Sequence, residues 1–251
     1  MVELTSVAVP SAEETVLGRE NVPLIILDDA HPAPQTLVEM AHEQHFQRTA
    51  GDFYPGTRAD VPPEYRDWLA RVVSASWPGG DMAVLRSAFA IATDQPADLV
   101  PIQRIPHFDT VDPQVVAAVH YLCAPPCRGT GFYRHRRTGY ERIDRARQSA
   151  WRQALNRDSR DLSAPGPGQL PGDSAAFERI GSAELRFNRL ILYPANCLHA
   201  GDLAKGGGVP PRLTITSLLA PAASLHVPAM ADHDRLAGQR VGREAGKEDR
   251  G

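Results

Sequence analysis

A series of short apolar runs, separated by turn-forming residues, occupies most of the chain after residue 82. The runs are rich in Val, Ile, Leu and aromatic residues, are bounded by Pro, Gly, Asp or Asn, and lie at residues 82–92, 99–109, 115–123, 130–135, 184–193 and 212–220. This pattern is typical of β-strands. One clear helical pattern, over residues 141–156, interrupts them. Since a parallel α/β sheet needs a helix between successive strands, the sequence predicts a mainly β fold, a double-sheet jelly roll.

The chain before residue 82 is predicted to add helices to this β core. Residues 35–46 and 62–73 place apolar side chains at helical spacing, and prolines at the start of the second segment favour a first helical turn. Residues 22–28 form an apolar run that predicts a buried strand. We therefore expect one jelly-roll domain over residues 21–228, packed by a helical layer over about residues 34–73.

Three segments are expected to lie outside this core. Residues 1–20 are polar without periodicity, which predicts a flexible N-terminus. Residues 229–251 are charged and contain little that could be buried, which predicts a solvated C-terminal tail. Residues of about 140–182 combine the helical pattern with a Pro- and Gly-rich stretch over 158–173, which predicts an insertion.

The composition limits the classes of partner. Lys and Arg number 27 against 30 Asp and Glu, a formal net charge of −3, so no basic field favours nucleic acid. No apolar run approaches the roughly 18 residues that a membrane span needs, and the N-terminal sequence lacks the pattern of a signal peptide. Three cysteines argue against a disulfide framework. These features predict a cytoplasmic protein without a nucleic-acid or membrane partner.

The strongest local signal for chemistry is His107-Phe-Asp109, which ends one of the strand-like runs. Residues i and i+2 of a strand point to the same face, so this imidazole and this carboxylate could bind one metal ion. Farther along, an apolar run turns at residues 194–196 and then presents His199. Two histidines and one carboxylate form the facial triad of non-haem Fe(II) oxygenases, which leaves open positions on the iron.

A basic side chain begins the next strand-like run. Arg212, Thr214 and Thr216 alternate along this run and so share one face. A guanidinium at an inward position requires an anion, and a carboxylate bound through two hydrogen bonds is its natural partner.

The order of these motifs resembles that of the Fe(II)/2-oxoglutarate-dependent dioxygenases, above all their prolyl-hydroxylase-like branch and a group of uncharacterised bacterial proteins with similar blocks. The sequence has His107-x-Asp109, a strand, a Gly-rich turn into an aromatic strand at residues 129–133, the run Asn188-Arg-Leu-Ile-Leu-Tyr-Pro, then His199 and Arg212-x-Thr214. The resemblance covers about residues 99–220 and implies a double-stranded β-helix, the cupin-like form of the jelly roll.

The resemblance also implies the roles of individual residues. His107, Asp109 and His199 would hold Fe(II) as catalytic metal ligands. Arg212, helped by Thr214, would bind the distal carboxylate of the cosubstrate 2-oxoglutarate, and O₂ would be the second cosubstrate.

A further contact to 2-oxoglutarate is implied for the strand that follows the His-x-Asp motif. In the prolyl-hydroxylase-like branch a tyrosine on this strand touches the distal carboxylate. The corresponding position here is His120, or Tyr121 if the register is shifted by one residue.

The implied reaction is the oxidation of an unactivated C–H bond with release of succinate and CO₂. Halogenating relatives lack the carboxylate ligand, so the presence of Asp109 favours hydroxylation or a related desaturation or cyclisation. A small molecule, such as an amino acid or a natural-product intermediate, is the expected substrate. The alternative within the same enzyme class is a hydroxylase of protein or peptide side chains.

Two other readings of the sequence stay open. The chain could be a non-catalytic jelly-roll binding module stabilised by zinc, with Cys123, Cys127, Cys197 and His199 as ligands. A concentrated basic stretch could also either form a solvated helix face or bind an anionic substrate group at the mouth of the site. Its arginines are Arg134, Arg136, Arg137, Arg142, Arg145, Arg147 and Arg152.

Overall fold

The computed structural model describes residues 10–48, 54–93, 99, 103, 105–125, 127, 129–162, 175–201 and 211–226. These residues form a mainly β structure with three α-helices. The helices are α1 (Pro34–Glu43), α2 (Pro63–Ser76) and α3 (Gln148–Leu162). The strands are β1 (Ala12–Leu17), β2 (Val22–Leu27), β3 (Gly56–Asp60), β4 (Met82–Ala92), β5 (Val116–Tyr121), β6 (Thr130–His135), β7 (Phe177–Ala183), β8 (Leu190–Pro194), β9 (His199–Gly201) and β10 (Arg212–Pro221).

The strands form two antiparallel sheets. The large sheet has seven strands in the order β1-β2-β8-β5-β10-β4-β3, and the small sheet has three in the order β7-β6-β9. Neighbours in both sheets are mostly distant in sequence. For example, β5 pairs with β8 on one side and with β10 on the other. The chain therefore returns repeatedly to each sheet, and residues from its two ends meet on the same surface.

Side chains alternate along the strands and so give the large sheet two different faces. The inner face, which carries Val119, Tyr121 and Ile191, packs against Phe132 and Ala183 of the small sheet. The outer face packs against α1 and α2, whose apolar stripes are buried there. On the far side of the small sheet, α3 contributes a third apolar cluster. The described residues thus stack as helices, large sheet, small sheet and helix.

The helices follow their sequence patterns closely. In α2, Tyr65, Trp68, Leu69 and Val72 are buried at helical spacing, and Pro63 occupies the first turn, where no backbone donor is needed. The third helix begins at Gln148 rather than at residue 141 as predicted. The residues before it form turns, and Ile143 donates its backbone hydrogen bond to Asn196 O at 2.8 Å instead of to a helical carbonyl. None of the helices in the described ranges has the length and apolarity that crossing a membrane would require.

Two predictions about the segments outside the core are wrong. The N-terminus is not flexible over Ala12–Leu17, because this segment pairs with β2 along its whole length. The insertion predicted over residues 140–182 does not extend to its end, because Phe177–Ala183 pairs with β6 as a strand of the small sheet. Residues 1–9 and the predicted tail at 229–251 lie outside the described residues.

Candidate metal centre

A short bridge between two extended segments brings the two predicted metal-binding histidines together. The backbone of His107 donates to the carbonyl of His199 at 2.9 Å, and the backbone of His199 donates to the carbonyl of His107 at 2.8 Å. Residues directly opposite each other in an antiparallel pair point to the same face. The two imidazole rings accordingly lie with their centroids 4.5 Å apart.

The carboxylate joins them because it lies two residues along the same extended segment. The backbone of Asp109 donates to Ala195 O at 2.8 Å, which holds the segment against the turn that precedes His199. The Asp109 Oδ2 atom is then 3.6 Å from His199 Nε2. One ligand atom from each of His107, Asp109 and His199 lies within 4.8 Å of the others.

The hydrogen bonds around His199 fix which of its nitrogens faces the group. Its Nδ1 lies 3.1 Å from Cys197 O, an acceptor, so Nδ1 carries the proton and donates. Nε2 is the nitrogen that points towards Asp109. A second hydrogen bond of this kind is the usual way in which proteins orient a metal-binding histidine.

The surroundings of the group differ on its two sides. The His199 side chain is 7% exposed, whereas that of Asp109 is 22% exposed, so the group is closed towards the sheets and open on the side of the extended segment. The Tyr193 ring packs against His199, with centroids 4.9 Å apart. Burial, and then the charge of Asp109, raise the pKa of Tyr193 well above its ordinary value, so this phenol stays protonated beside the group.

Arg212 lies on the inner face of the large sheet and reaches the strand that carries His199. Its guanidinium carbon is 5.2 Å from the centre of the Tyr121 ring, and its Nη2 donates to Gly129 O at 3.4 Å. A side chain at Gly201 would begin 3.6 Å from Arg212 Nη1. The guanidinium therefore lies within van der Waals distance of the strand that carries His199, two residues beyond the histidine.

Thr214 and Tyr121 share this inner face. They are directly opposite each other in the β5–β10 pairing, and both are fully buried. The Tyr121 hydroxyl lies 2.8 Å from Thr130 Oγ1 of the small sheet, while Thr214 Oγ1 donates to Ala90 O at 3.4 Å. Burial raises the pKa of Tyr121, so its phenol is neutral and can donate a hydrogen bond.

The placement of His120 among the 2-oxoglutarate ligands is wrong. As the neighbour of Tyr121 in a strand, it points to the outer face, where its Nδ1 is 3.3 Å from the Tyr65 hydroxyl and its Nε2 is 3.0 Å from Asn188 Oδ1. Burial lowers the pKa of His120 to about 4. Of the two alternatives that the sequence left open, the structure places only Tyr121 on the side of the triad.

Most arginines of the basic stretch form ion pairs within the protein. The structure therefore does not support the hypothesis that this stretch binds an anionic substrate group at the mouth of the site. Arg134 donates to the fully buried Glu141 at 2.7 Å and also to Glu178 at 2.7 Å. Arg137 pairs with Asp158. Glu20 accepts from Arg147 at 2.7 Å and lies 3.7 Å from Arg142. Four of these arginines thus join the N-terminal turn, the small sheet and α3.

The zinc hypothesis is not supported, because the structure does not bring the three cysteines and His199 together. In the part of the chain that the structure describes, the triad is the one group of three or more potential ligand residues with ligand atoms close together. Cys123, Cys127 and Cys197 do not join His199 in such a group. All three cysteines are free thiols.

Sequence reasoning missed two residues beside the candidate site. Tyr193 packs on His199 but belongs to an apolar run that the sequence predicts as core. Its position six residues before His199 is the one signal that could have linked it to the site. Arg58 lies on the same inner face as Arg212 and donates to Thr216 Oγ1 at 2.7 Å. Its segment is too short and polar to signal a strand, so no pattern placed it there.

Residues 8–218 match the sequence profile of DUF6445, described as a family of unknown function. No curated protein matches the sequence.

Several solved structures are similar to this chain. HygX from Streptomyces hygroscopicus, solved with nickel and 2-oxoglutarate bound, is 9% identical with a TM-score of 0.47, over 79% of this chain and 83% of HygX. The non-heme alpha ketoglutarate dependent epimerase SnoN from nogalamycin biosynthesis is 11% identical with a TM-score of 0.43, over 79% of this chain and 78% of SnoN. A prolyl hydroxylase from Trichoplax adhaerens, in complex with a hypoxia inducible factor peptide, is 11% identical with a TM-score of 0.43, over 82% of this chain and 87% of that enzyme. The similar structures thus include 2-oxoglutarate-dependent enzymes. Because each TM-score is below 0.5, we assign the site from its own geometry.

Proposed function

The chain belongs to the DUF6445 family of unknown function, and we propose that it is an Fe(II)- and 2-oxoglutarate-dependent oxygenase that oxidises a C–H bond of a small molecule. One observation carries the proposal. Two histidines and one aspartate from distant parts of the sequence converge as His107, Asp109 and His199, and an arginine lies beside the same strand.

The three side chains fit a divalent iron ion. Two donors that each lie about 2.1 Å from one ion are at most about 4.2 Å apart. The 3.6 Å between His199 Nε2 and Asp109 Oδ2 is below this limit, and all ligand atoms of the group lie within 4.8 Å of one another, so binding of the ion would require only a small inward movement of a side chain. The hydrogen bond of His199 Nδ1 with Cys197 O also leaves Nε2 as the nitrogen that would bind the ion. Two imidazoles and one carboxylate are the donor set of the facial triad, which leaves coordination positions for a cosubstrate and O₂.

Arg212 and Tyr121 fit the anionic end of 2-oxoglutarate. A planar guanidinium can donate two parallel hydrogen bonds to a carboxylate, and the neutral phenol of Tyr121 can donate a third. Thr214 would border the same carboxylate from the middle of the face. When bound, iron and 2-oxoglutarate supply the oxidising chemistry, in which 2-oxoglutarate is converted with O₂ to succinate and CO₂ as the substrate is oxidised.

The protein's own part is to position these groups and to exclude water. Tyr193 packs on the His199 ring, and the Cys197 carbonyl orients it through Nδ1. The two sheets enclose the face on which Arg212 and Thr214 lie, and both residues are buried. An ion pair in such surroundings is screened less than one at the surface.

We propose further that the two sheets are the halves of a double-stranded β-helix. Antiparallel pairing throughout, the many crossovers between non-consecutive strands and the apolar cluster shared by the two sheets support this architecture. The extended segment around His107 would add a fourth strand to the small sheet beside β9, since it pairs with His199.

Anaerobic addition of Fe(II) and 2-oxoglutarate to the purified protein tests the proposal. We expect a weak visible absorption band from the chelate and, after air is admitted, slow succinate formation without substrate. His107→Ala and Asp109→Ala should lose both signals. His42→Ala is a matched control, because this exposed histidine lies on α1. Wild-type protein without the band, or triad variants that keep it, would contradict the proposal.

A screen for stimulated succinate formation then separates the two substrate classes. We expect small molecules to stimulate turnover, with hydroxylation or a related desaturation or cyclisation as the outcome. Stimulation by peptides alone would favour a hydroxylase of protein side chains instead.

A further inference from the structure

The apolar cluster that contains α3 lies directly behind the metal-ligand segments. Side chains alternate along an extended segment, so the sequence neighbours of a metal ligand point away from the metal. Phe108, which lies between the two ligands of the first segment, packs against this cluster. Leu198 and Ala200, the neighbours of His199, belong to it. Both ligand segments therefore rest on the same apolar support.

Trp151, near the start of α3, contacts the first ligand segment from behind. Its ring meets the Phe108 ring edge to face, with centroids 5.3 Å apart, which is a favourable arrangement for two aromatic rings. Trp151 is 6% exposed, and its indole N–H has no hydrogen-bond partner among the residues that the structure describes. The contact is therefore made between apolar ring surfaces, and another aromatic residue could make it.

The helix that carries Trp151 is tied to the rest of the protein at both ends. At its start, Arg147, which accepts the backbone hydrogen bond of Trp151 at 2.9 Å, donates to Glu20 at 2.7 Å. Farther along, Asp158 Oδ2 lies 2.9 Å from Nε2 of His135 in the small sheet, and both residues are buried. The position of the indole ring is thus fixed by contacts that do not involve the triad.

The first ligand segment depends on packing from this side. Its backbone bonds join His107 to His199 in both directions and join Asp109 to Ala195, whereas His107 itself is exposed. Backbone bonds along one edge fix the path of an extended segment but leave its rotation about that edge free. Phe108 leaves the segment in the direction opposite to the two ligands, so the contact behind it determines where those ligands point.

We propose that Trp151 is a positioning residue for the metal, which through Phe108 holds the His107–Asp109 segment at the angle at which both ligands meet His199. This inference rests on the proposed function, because it requires that the triad binds a metal ion. Partners that orient metal ligands typically change the metal affinity 10- to 100-fold when they are mutated. Trp151 thus contributes to metal affinity without contacting the metal.

Titration of the full chain with redox-inert Ni(II), in competition with a coloured chelator, tests the proposal. We expect Trp151→Leu to raise the dissociation constant about 10-fold or more. Trp151→Phe should stay within about threefold of wild type, because it keeps an aromatic ring against Phe108. Phe108→Leu should raise the constant by a similar factor to Trp151→Leu. Since the two residues act as a unit, the double variant should bind no more weakly than the weaker single variant.

Trp68→Leu is the matched control. It makes the same substitution at a tryptophan that is 5% exposed, in α2 on the other side of the large sheet. Urea unfolding without metal should show that both tryptophan variants lose stability, whereas only Trp151→Leu should lose metal affinity. If Trp151→Leu does not fold, the half-buried Phe108→Leu decides the question with α3 intact.

The inference is overturned if a folded Trp151→Leu or Phe108→Leu variant binds Ni(II) as tightly as wild type. It is also overturned if Trp68→Leu loses as much affinity, or if the two effects add in the double variant. Failure of the wild-type protein to bind Ni(II) would overturn the proposed function as well, whereas normal binding by wild type and by both variants overturns the Trp151 assignment alone.

Discussion

Replacing Arg212 by alanine should weaken the binding of 2-oxoglutarate far more than the binding of iron. Arg212 is 9% exposed and lies within reach of both sheets, through Gly129 O at 3.4 Å and the Tyr121 ring at 5.2 Å. Truncating one partner of a buried, hydrogen-bonded charge pair costs about 2–5 kcal/mol. Since about 1.4 kcal/mol is a factor of ten, the dissociation constant should rise roughly 30-fold to several thousand-fold.

Titration of the visible band with 2-oxoglutarate under anaerobic conditions measures this constant. Arg212→Lys is the informative control, because it keeps the charge but loses the planar fork, and we expect an intermediate constant. Binding of Fe(II) alone should stay within a factor of about three of wild type, since Arg212 is not a ligand of the triad. A 2-oxoglutarate constant unchanged in Arg212→Ala would refute the assigned role.

Three further predictions concern the surroundings of the site. Tyr121→Phe should raise the 2-oxoglutarate dissociation constant by roughly 5- to 10-fold, the effect of one hydrogen bond, whereas His120→Gln should leave it unchanged in the same titration; the reverse result would restore His120 to the site. Because burial lowers the pKa of His120 to about 4 from 6.5, the unfolded chain binds a proton between these values that the folded chain does not. Stability therefore falls as pH drops, and wild type should lose about 2 kcal/mol more than His120→Gln between pH 7 and pH 5 in urea unfolding; equal losses would contradict the buried neutral histidine. Glu141→Gln should lower the free energy of unfolding by roughly 3 kcal/mol, because Glu141 is fully buried and accepts from the Arg19 and Glu20 backbones as well as from Arg134; a change below about 0.5 kcal/mol would show that this carboxylate is dispensable.

The sequence predicts those parts of the fold that local pattern controls. The apolar runs that became β2, β4, β5, β6 and β10 were recognisable because their side chains are buried on one or both faces. Edge strands β1 and β3 were not recognisable. The residues of β1 are largely exposed, and those of β3 are mostly partly exposed. Neither strand has an alternating apolar pattern, so backbone pairing with a neighbouring strand defines them.

The candidate site shows the same division. His107 and Asp109 are close in sequence, and strand alternation alone predicts their common face. The choice between His120 and Tyr121 depends on a register of one residue, which only the pairing with β8 and β10 fixes. The ion pairs of the basic stretch depend on partners such as Glu20, more than 120 residues away from Arg147.

The most direct test of the account is anomalous diffraction at the iron absorption edge from crystals grown anaerobically with Fe(II). The account predicts one strong peak about 2.1 Å from His199 Nε2, with an Asp109 oxygen and a His107 ring nitrogen at similar distances. A peak elsewhere, or density that shows these three side chains turned away from one another at full iron occupancy, would contradict it.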